Sequence, residues 1–130
     1  MSRGRVEVAD LIARARGLLG EFRTSADCVA GSAAAAILGR SGRVFTGICV
    51  DTACSLGFCA EQAAVADLLK ARESEIALVV AVTAGGVIAP CGRCRELLWQ
   101  VDPRNRAAGV VLGPSTVVPL AALLPQPWRT

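Results

Sequence analysis

The chain has no histidine and no tyrosine, only one methionine, and aromatic residues at 4% of its 130 positions. Without histidine, no imidazole is available to complete a metal site. Charge is also scarce, at 19% of residues against 53% hydrophobic, where a soluble domain normally carries about 25% charge. Part of the apolar surface is therefore expected to lie between subunits. The net charge of +3 is mild and its basic residues are scattered from Arg3 to Arg129. No basic stripe or aromatic-interleaved groove of the kind nucleic-acid binding needs is present, and no nucleic-acid partner is expected.

A continuous apolar leader is missing as well. The start, "MSRGRVEVADLIARAR", interrupts its apolar residues with charge every two or three positions, unlike a secretory signal. A cytoplasmic location is expected. The uncharged stretch 107–128 contains Pro114, Pro119, Pro125 and Pro127, which would break a membrane-spanning helix. It reads as strand, turn and short helix. No repeat, low-complexity tail or linker divides the chain, and its length suits one domain spanning 1–130.

What is present is apolar periodicity. Val8, Leu11, Ile12, Ala15, Leu18 and Leu19 recur at helical spacing, which predicts an amphipathic helix over 6–19 closed near Gly20. "VAGSAAAAIL" and "RVFTGICV" flank the turn signal "GRSG" and read as a hairpin. "CAEQAAVADLLKAR" has helical spacing with cationic residues at its end. "EIALVVAV" is a continuous apolar run, the mark of a strand buried on both faces. A second helix is predicted from about Cys91 to Val101, and "AAGVVLG" with "STVVPLAALL" supplies one or two more strands and a helical turn. This order implies an α/β fold, a mixed sheet between helices in a three-layer α/β/α sandwich.

Six cysteines remain to be explained. A disulfide framework suits a secreted, loop-rich chain, whereas this one is rich in helix and strand formers, so metal ligation is the better reading. In "APCGRCRELL", Cys91 and Cys94 are spaced so that one turn can bring both thiolates to the same zinc at roughly 2.3 Å. The competing reading is that both are small buried apolar residues. Pro90 favours the first, because proline suits a helix start and the dipole there stabilises thiolates.

Cys59, in "FCAEQAA", supplies a third thiolate from the start of another helix. Three thiolates leave the fourth tetrahedral position to water, whose pKa zinc lowers toward about 7. Glu61 is placed to take the proton and pass it on. Alternatively, Glu61 is only a first-turn acid favoured by the helix dipole, and the metal is closed and structural, with Cys28, Cys49 or Cys54 as fourth ligand. That would make the chain a non-catalytic assembly module.

The pattern Cys59-Ala60-Glu61 followed by Pro90-Cys91-Gly92-Arg93-Cys94 resembles the signature of the zinc deaminases of nucleobases and nucleosides. Its three-cysteine form is similar to the small members of the cytidine deaminase superfamily. "VAGSAAA" and "GRVFTGICV" resemble the family's first two strands, "CGRCRELL" its C-G-x-C-R-Q, and "LLPQPW" its L-L-P-x-x-F tail, together covering roughly 27–128. The resemblance implies a zinc hydrolase with Cys59, Cys91 and Cys94 as ligands, Glu61 as proton shuttle and the Ala60 backbone beside a pyrimidine. It also implies a homo-oligomer, a tetramer, with the tail around Trp128 near a neighbouring active site.

Several positions depart from the family. Its ribose-holding Asn-Val-Glu is replaced by Cys49, Val50 and Asp51, so an amide is lost and Asp51 would carry more of any sugar contact. Cys28 stands where the family has an aromatic ahead of its first strand. Gln62 replaces an arginine that offsets the charge of the three-thiolate zinc in many relatives, leaving Arg93 or Arg95 to compensate. The blasticidin S deaminases, with similar "GRIFTGVNV" and "PCGRCRQ" segments, therefore compete with cytidine deaminases as the nearer relatives, and another aminated heterocycle is a further alternative.

Overall fold

The computed structural model describes residues 3–129, with side chains from Glu7 onward. A seven-stranded mixed sheet lies between helices. In chain order the elements are α1 (Arg3–Arg16), β1 (Phe22–Ser25), β2 (Cys28–Gly39), β3 (Val44–Thr52), α2 (Ala60–Lys70), β4 (Ile76–Thr83), β5 (Gly86–Ile88), α3 (Gly92–Val101), β6 (Gly109–Gly113), β7 (Thr116–Pro119) and α4 (Leu120–Leu123). A 3₁₀ turn over Pro103–Ala107 joins α3 to β6.

The long strand β2 organises the sheet. β3 runs antiparallel along one edge of it, while β1 and β4 share the other edge, β1 against Cys28–Ala30 and β4 against Ala33–Gly39. β4 in turn pairs antiparallel with β5 and parallel with β6. β7 closes the far edge against β6. The parallel pair forces a crossover, and α3 lies within that connection.

Alternation along the central strands builds two separate cores. Ala34, Ala36, Val80, Val82 and Val111 face one way and pack with Val8, Leu11, Ile12 and Ala15 of α1. Ala35, Ile37, Val79, Ala81 and Val110 face the other way and pack with Ala60, Ala64 and Leu68 of α2, Leu98 of α3 and Leu120 of α4. The period of two in β2 and β4 thus yields the expected three layers. The alanine run serves this directly, because small side chains on β2 let helices approach both faces.

Boundaries differ from expectation at several points. α1 starts at Arg3 and stops at Arg16, because the Leu18 and Leu19 amides bond three residues back, to the Ala15 and Arg16 carbonyls, and Gly20 turns away to bond Gly31. Leu18 consequently leaves the apolar stripe and is 43% exposed. The short strands β1 and β5 and the 3₁₀ turn add to the elements that periodicity predicts. β1 is exposed along its whole length and carries no alternation; its pairing comes from β2 alone.

Candidate metal centre and active site

Two glycines bring the first half of the site together. At Gly47 of β3, a Cβ would lie 2.5 Å from both the Ala63 Cβ and the Ala64 amide nitrogen, so α2 rests on bare strand backbone. At Gly57 a Cβ would overlap the Val50 carbonyl. Phe58 is pinned beside it, its amide donating to the Val50 carbonyl at 2.9 Å and its own carbonyl accepting from the Val50 amide at 3.0 Å. The next residue, Cys59, is the N-cap of α2, with Ala60 and Glu61 buried in the first turn.

The second half comes from the start of α3. Cys91 is its N-cap and Cys94 lies in its first turn, fully buried. Pro90 sits two residues ahead of the first helical residue, Gly92, and so lies outside the first turn that the sequence suggests for it. Its carbonyl accepts from Arg95 Nε at 2.8 Å, while Arg95 Nη1 donates to the Leu123 carbonyl at 3.0 Å. Arg95 thereby ties the cysteine loop to the end of α4, and its side chain is occupied with carbonyls.

Among the described residues, Cys59, Cys91 and Cys94 form a group whose sulfurs all lie within 4.8 Å of one another. Cys91 Sγ is 3.6 Å from Cys59 Sγ and 3.4 Å from Cys94 Sγ. Three thiolates about a tetrahedral zinc at roughly 2.3 Å would stand roughly 3.8 Å apart. The donor set fits that ion, and all six cysteines are free of disulfides.

Electrostatics distinguish the three thiols. Burial, then the nearby Glu61 charge and the other two sulfurs, push Cys94 well above the ordinary thiol value. Burial also raises Cys59. For Cys91, burial opposes ionisation, but hydrogen bonds from the Cys94 amide and thiol, the Cys59 thiol and the Arg93 amide outweigh it and lower the pKa. The amide donors among these belong to the start of α3, where the helix dipole also favours a thiolate. Glu61, only 5% exposed, has its carboxyl pushed up by burial, the direction that suits a group alternately taking and giving a proton.

A cavity of about 410 Å³ opens onto this centre. Cys59, Cys91, Ala60, Glu61, Cys49 and Asp51 all line it. Cys28 does not: it opens β2, paired with Ser25 and Thr52. Cys54 is exposed, 3.4 Å from Thr52 Oγ1. Cys49 is buried with its sulfur 3.2 Å from both Ser32 Oγ and the Ala33 amide. None of these three joins the metal-binding group.

The cavity also contains Ser32, Phe58, Ile88 and Arg93, of which sequence reasoning singles out only Arg93. Ser32 has one signal, the Gly31-Ser32 interruption of a strand run, which marks a bulge. Phe58 and Ile88 have none beyond their neighbours.

No family model matches the sequence. Solved structures do. Cytidine deaminase from Mycobacterium tuberculosis is 26% identical, with all of both chains covered and a TM-score of 0.74. Cytidine deaminase from Burkholderia pseudomallei is 28% identical over 98% of this chain and all of that one, also at 0.74. The Mycobacterium leprae enzyme is 26% identical over 97% of this chain and all of that one, at 0.69. The chain has a cytidine deaminase-like fold and is similar to these enzymes along its whole length. The three thiols at two helix starts could hold a metal, and two of them, Cys59 and Cys91, line the cavity together with Glu61.

Proposed function

We propose that this chain is a zinc-dependent hydrolytic deaminase releasing ammonia from an aminated pyrimidine nucleoside of the cytidine or deoxycytidine kind. The observation carrying this reading is that the buried Glu61 lines one cavity with Cys59 and Cys91, two members of the three-thiol group. Cys59, Cys91 and Cys94 would hold the zinc, which when bound supplies the Lewis acidity that makes water nucleophilic near neutral pH. Glu61 takes the proton of the attacking water and delivers it to the ring nitrogen. The same carboxylate then takes the proton of the new C–OH group and passes it to the amine as the C–N bond breaks, so water and C–NH₂ become C=O and ammonia. The Ala60 backbone at the start of α2 borders the ring, with Phe58 and Ile88 as apolar walls.

Asp51, exposed on the cavity wall, is assigned to the substituent on the ring. Because Cys49 replaces the amide of the family's ribose clamp, a second reading is deamination of blasticidin S or another heterocycle. A non-catalytic structural-zinc module is a reading of another class, and the cavity with its buried glutamate weighs against it. The deciding experiment is ammonia release by zinc-loaded protein from cytidine, deoxycytidine, cytosine, blasticidin S and aminopurines. Turnover of cytidine supports the first reading, turnover only of another compound the second, and none at all the structural module.

A cytoplasmic location is supported by six unpaired cysteines, and no helix among the described residues is long and apolar enough to cross a membrane. The described residues all attach to one sheet, which supports a single domain over 1–130, although residues 1, 2 and 130 lie outside the described residues. A homotetramer is proposed from the scarcity of charge and from Trp128, 72% exposed beside Arg129. Light scattering at micromolar concentration tests it, and a monomer would refute it.

A further inference from the structure

We propose that Ser32 contacts the substrate and helps set its specificity, presented by a bulge in β2 that Cys49 braces. Its partner is a hydrogen-bond-donating substituent on the ring, not the aminated ring itself. The inference rests on the deaminase reading above and concerns a residue that the cysteine and glutamate motifs do not touch.

The bulge is visible in the pairing. Ala30 faces Val50 and Ala34 faces Ile48, so residues 31–33 of β2 oppose Cys49 alone on β3. Gly31 makes this possible with φ of +85°, a conformation other residues rarely adopt, and a Cβ there would overlap the Gly20 carbonyl. Such an excess of residues leaves strand amides without ladder partners and re-aims a side chain. Here the Cys49 sulfur takes the missing role, accepting from the Ala33 amide at 3.2 Å. Ser32 Oγ lies 3.2 Å from the same sulfur, and the thiol lies 3.8 Å from Asp51 Oδ2, toward which it can donate.

Cys49 is therefore spent within the protein. It is only 7% exposed, and its sulfur already serves the bulge, so it is a positioning residue and not a ligand contact. Ser32 is exposed and opens onto the cavity that holds Glu61 and Cys59. Its hydroxyl oxygen retains accepting capacity. Ser32 and Asp51 together present a hydroxyl and a carboxylate, a pair that favours donors: sugar hydroxyls or a cationic group. Both sources share that chemistry.

Binding can be read without turnover by using the zinc-loaded Glu61→Gln protein with three probes. Cytidine carries hydroxyls, 1-(3-aminopropyl)cytosine carries a cation, and 1-methylcytosine carries the ring alone. In calorimetric titrations, Ser32→Ala on that background is expected to weaken cytidine or the aminopropyl compound roughly two- to tenfold, with 1-methylcytosine unchanged. Whichever of the two weakens identifies the source of the donor. Cys49→Val, which keeps volume but cannot accept the Ala33 amide, should reproduce the selective loss, and Cys49→Ser should rescue it. Equal weakening of all three probes, or no change in any, overturns the role of Ser32. Ser32 is exposed, so its alanine variant remains a test even if Cys49→Val does not fold. Failure of the parent to bind any probe would instead overturn the pyrimidine deaminase reading, and this inference with it.

Discussion

The two ends of α3 carry polar groups in opposite conditions. At its C-terminal end, Asn105 is fully buried yet completely engaged: Oδ1 accepts from the Ile76 amide at 2.8 Å, and Nδ2 donates to the Ser74 and Leu98 carbonyls, each at 3.0 Å. Asp102 accepts from Ser74 Oγ, the Arg104 amide and the Arg104 guanidinium. Around the N-terminal end, burial raises Glu61, and burial together with the nearby Glu61 charge raises Cys94 and Cys59. One end uses polarity to join strand, helix and turn. The other gathers buried ionisable groups, among them two thiols opposed by the Glu61 charge, which is the arrangement expected where a cation and a proton are to be handled.

The sharpest way to separate the two ends is to remove a proton carrier without disturbing structure. Glu61→Gln should keep the fold and the metal but lower turnover roughly 10²- to 10⁴-fold. Ammonia release beside a melting curve checks this; a variant that melted early and lost activity in proportion would make Glu61 structural.

At the opposite end the effect should be on stability. Asn105→Ala leaves the Ile76 amide and two carbonyls buried without partners, a loss on the order of 3 kcal/mol. The melting temperature should drop by roughly 10 °C, while metal content measured well below that temperature stays as in the parent. Loss of metal with little change in melting would erase the distinction between the ends.

A smaller effect concerns acid. Hydrogen bonds from Arg104 hold the Asp102 carboxyl well below its ordinary value, so its contribution is present above the unfolded pKa of about 3.9 and is lost as pH falls below that toward the folded value. Denaturant midpoints of the parent and Asp102→Asn should differ most near neutral pH and converge below about pH 4. A constant difference across that range would mean that charge is not what Asp102 contributes.

These two ends are unequally legible in the sequence. Metal ligation demands particular residue types at short spacing, so Cys59, Glu61, Cys91 and Cys94 stand out from residue order alone; the fold brings Cys59, Glu61 and Cys91 to one cavity, with Cys94 Sγ 3.4 Å from Cys91 Sγ. Their helices are legible by periodicity, though both Cys59 and Cys91 prove to be N-caps and not first-turn residues. Asp102 and Asn105 give no such signal, since polar residues in a short turn look alike until their tertiary partners are known. β1 and β5 escape sequence reading because strands of four and three residues are too short to show alternation. Ser32 is hidden for a related reason: a bulge breaks the period of two over only three residues, and the Cys49 sulfur that completes it comes from another strand.

The central claim is that three particular cysteines, and no others, hold a metal at an open centre. Zinc analysis of the parent and of single alanine variants at all six cysteines tests it most directly. We predict about one zinc per chain in the parent and in the Cys28, Cys49 and Cys54 variants, and its loss in the Cys59, Cys91 and Cys94 variants. Depletion as severe from Cys28→Ala or Cys54→Ala would indicate a closed, four-thiolate structural site and contradict the account.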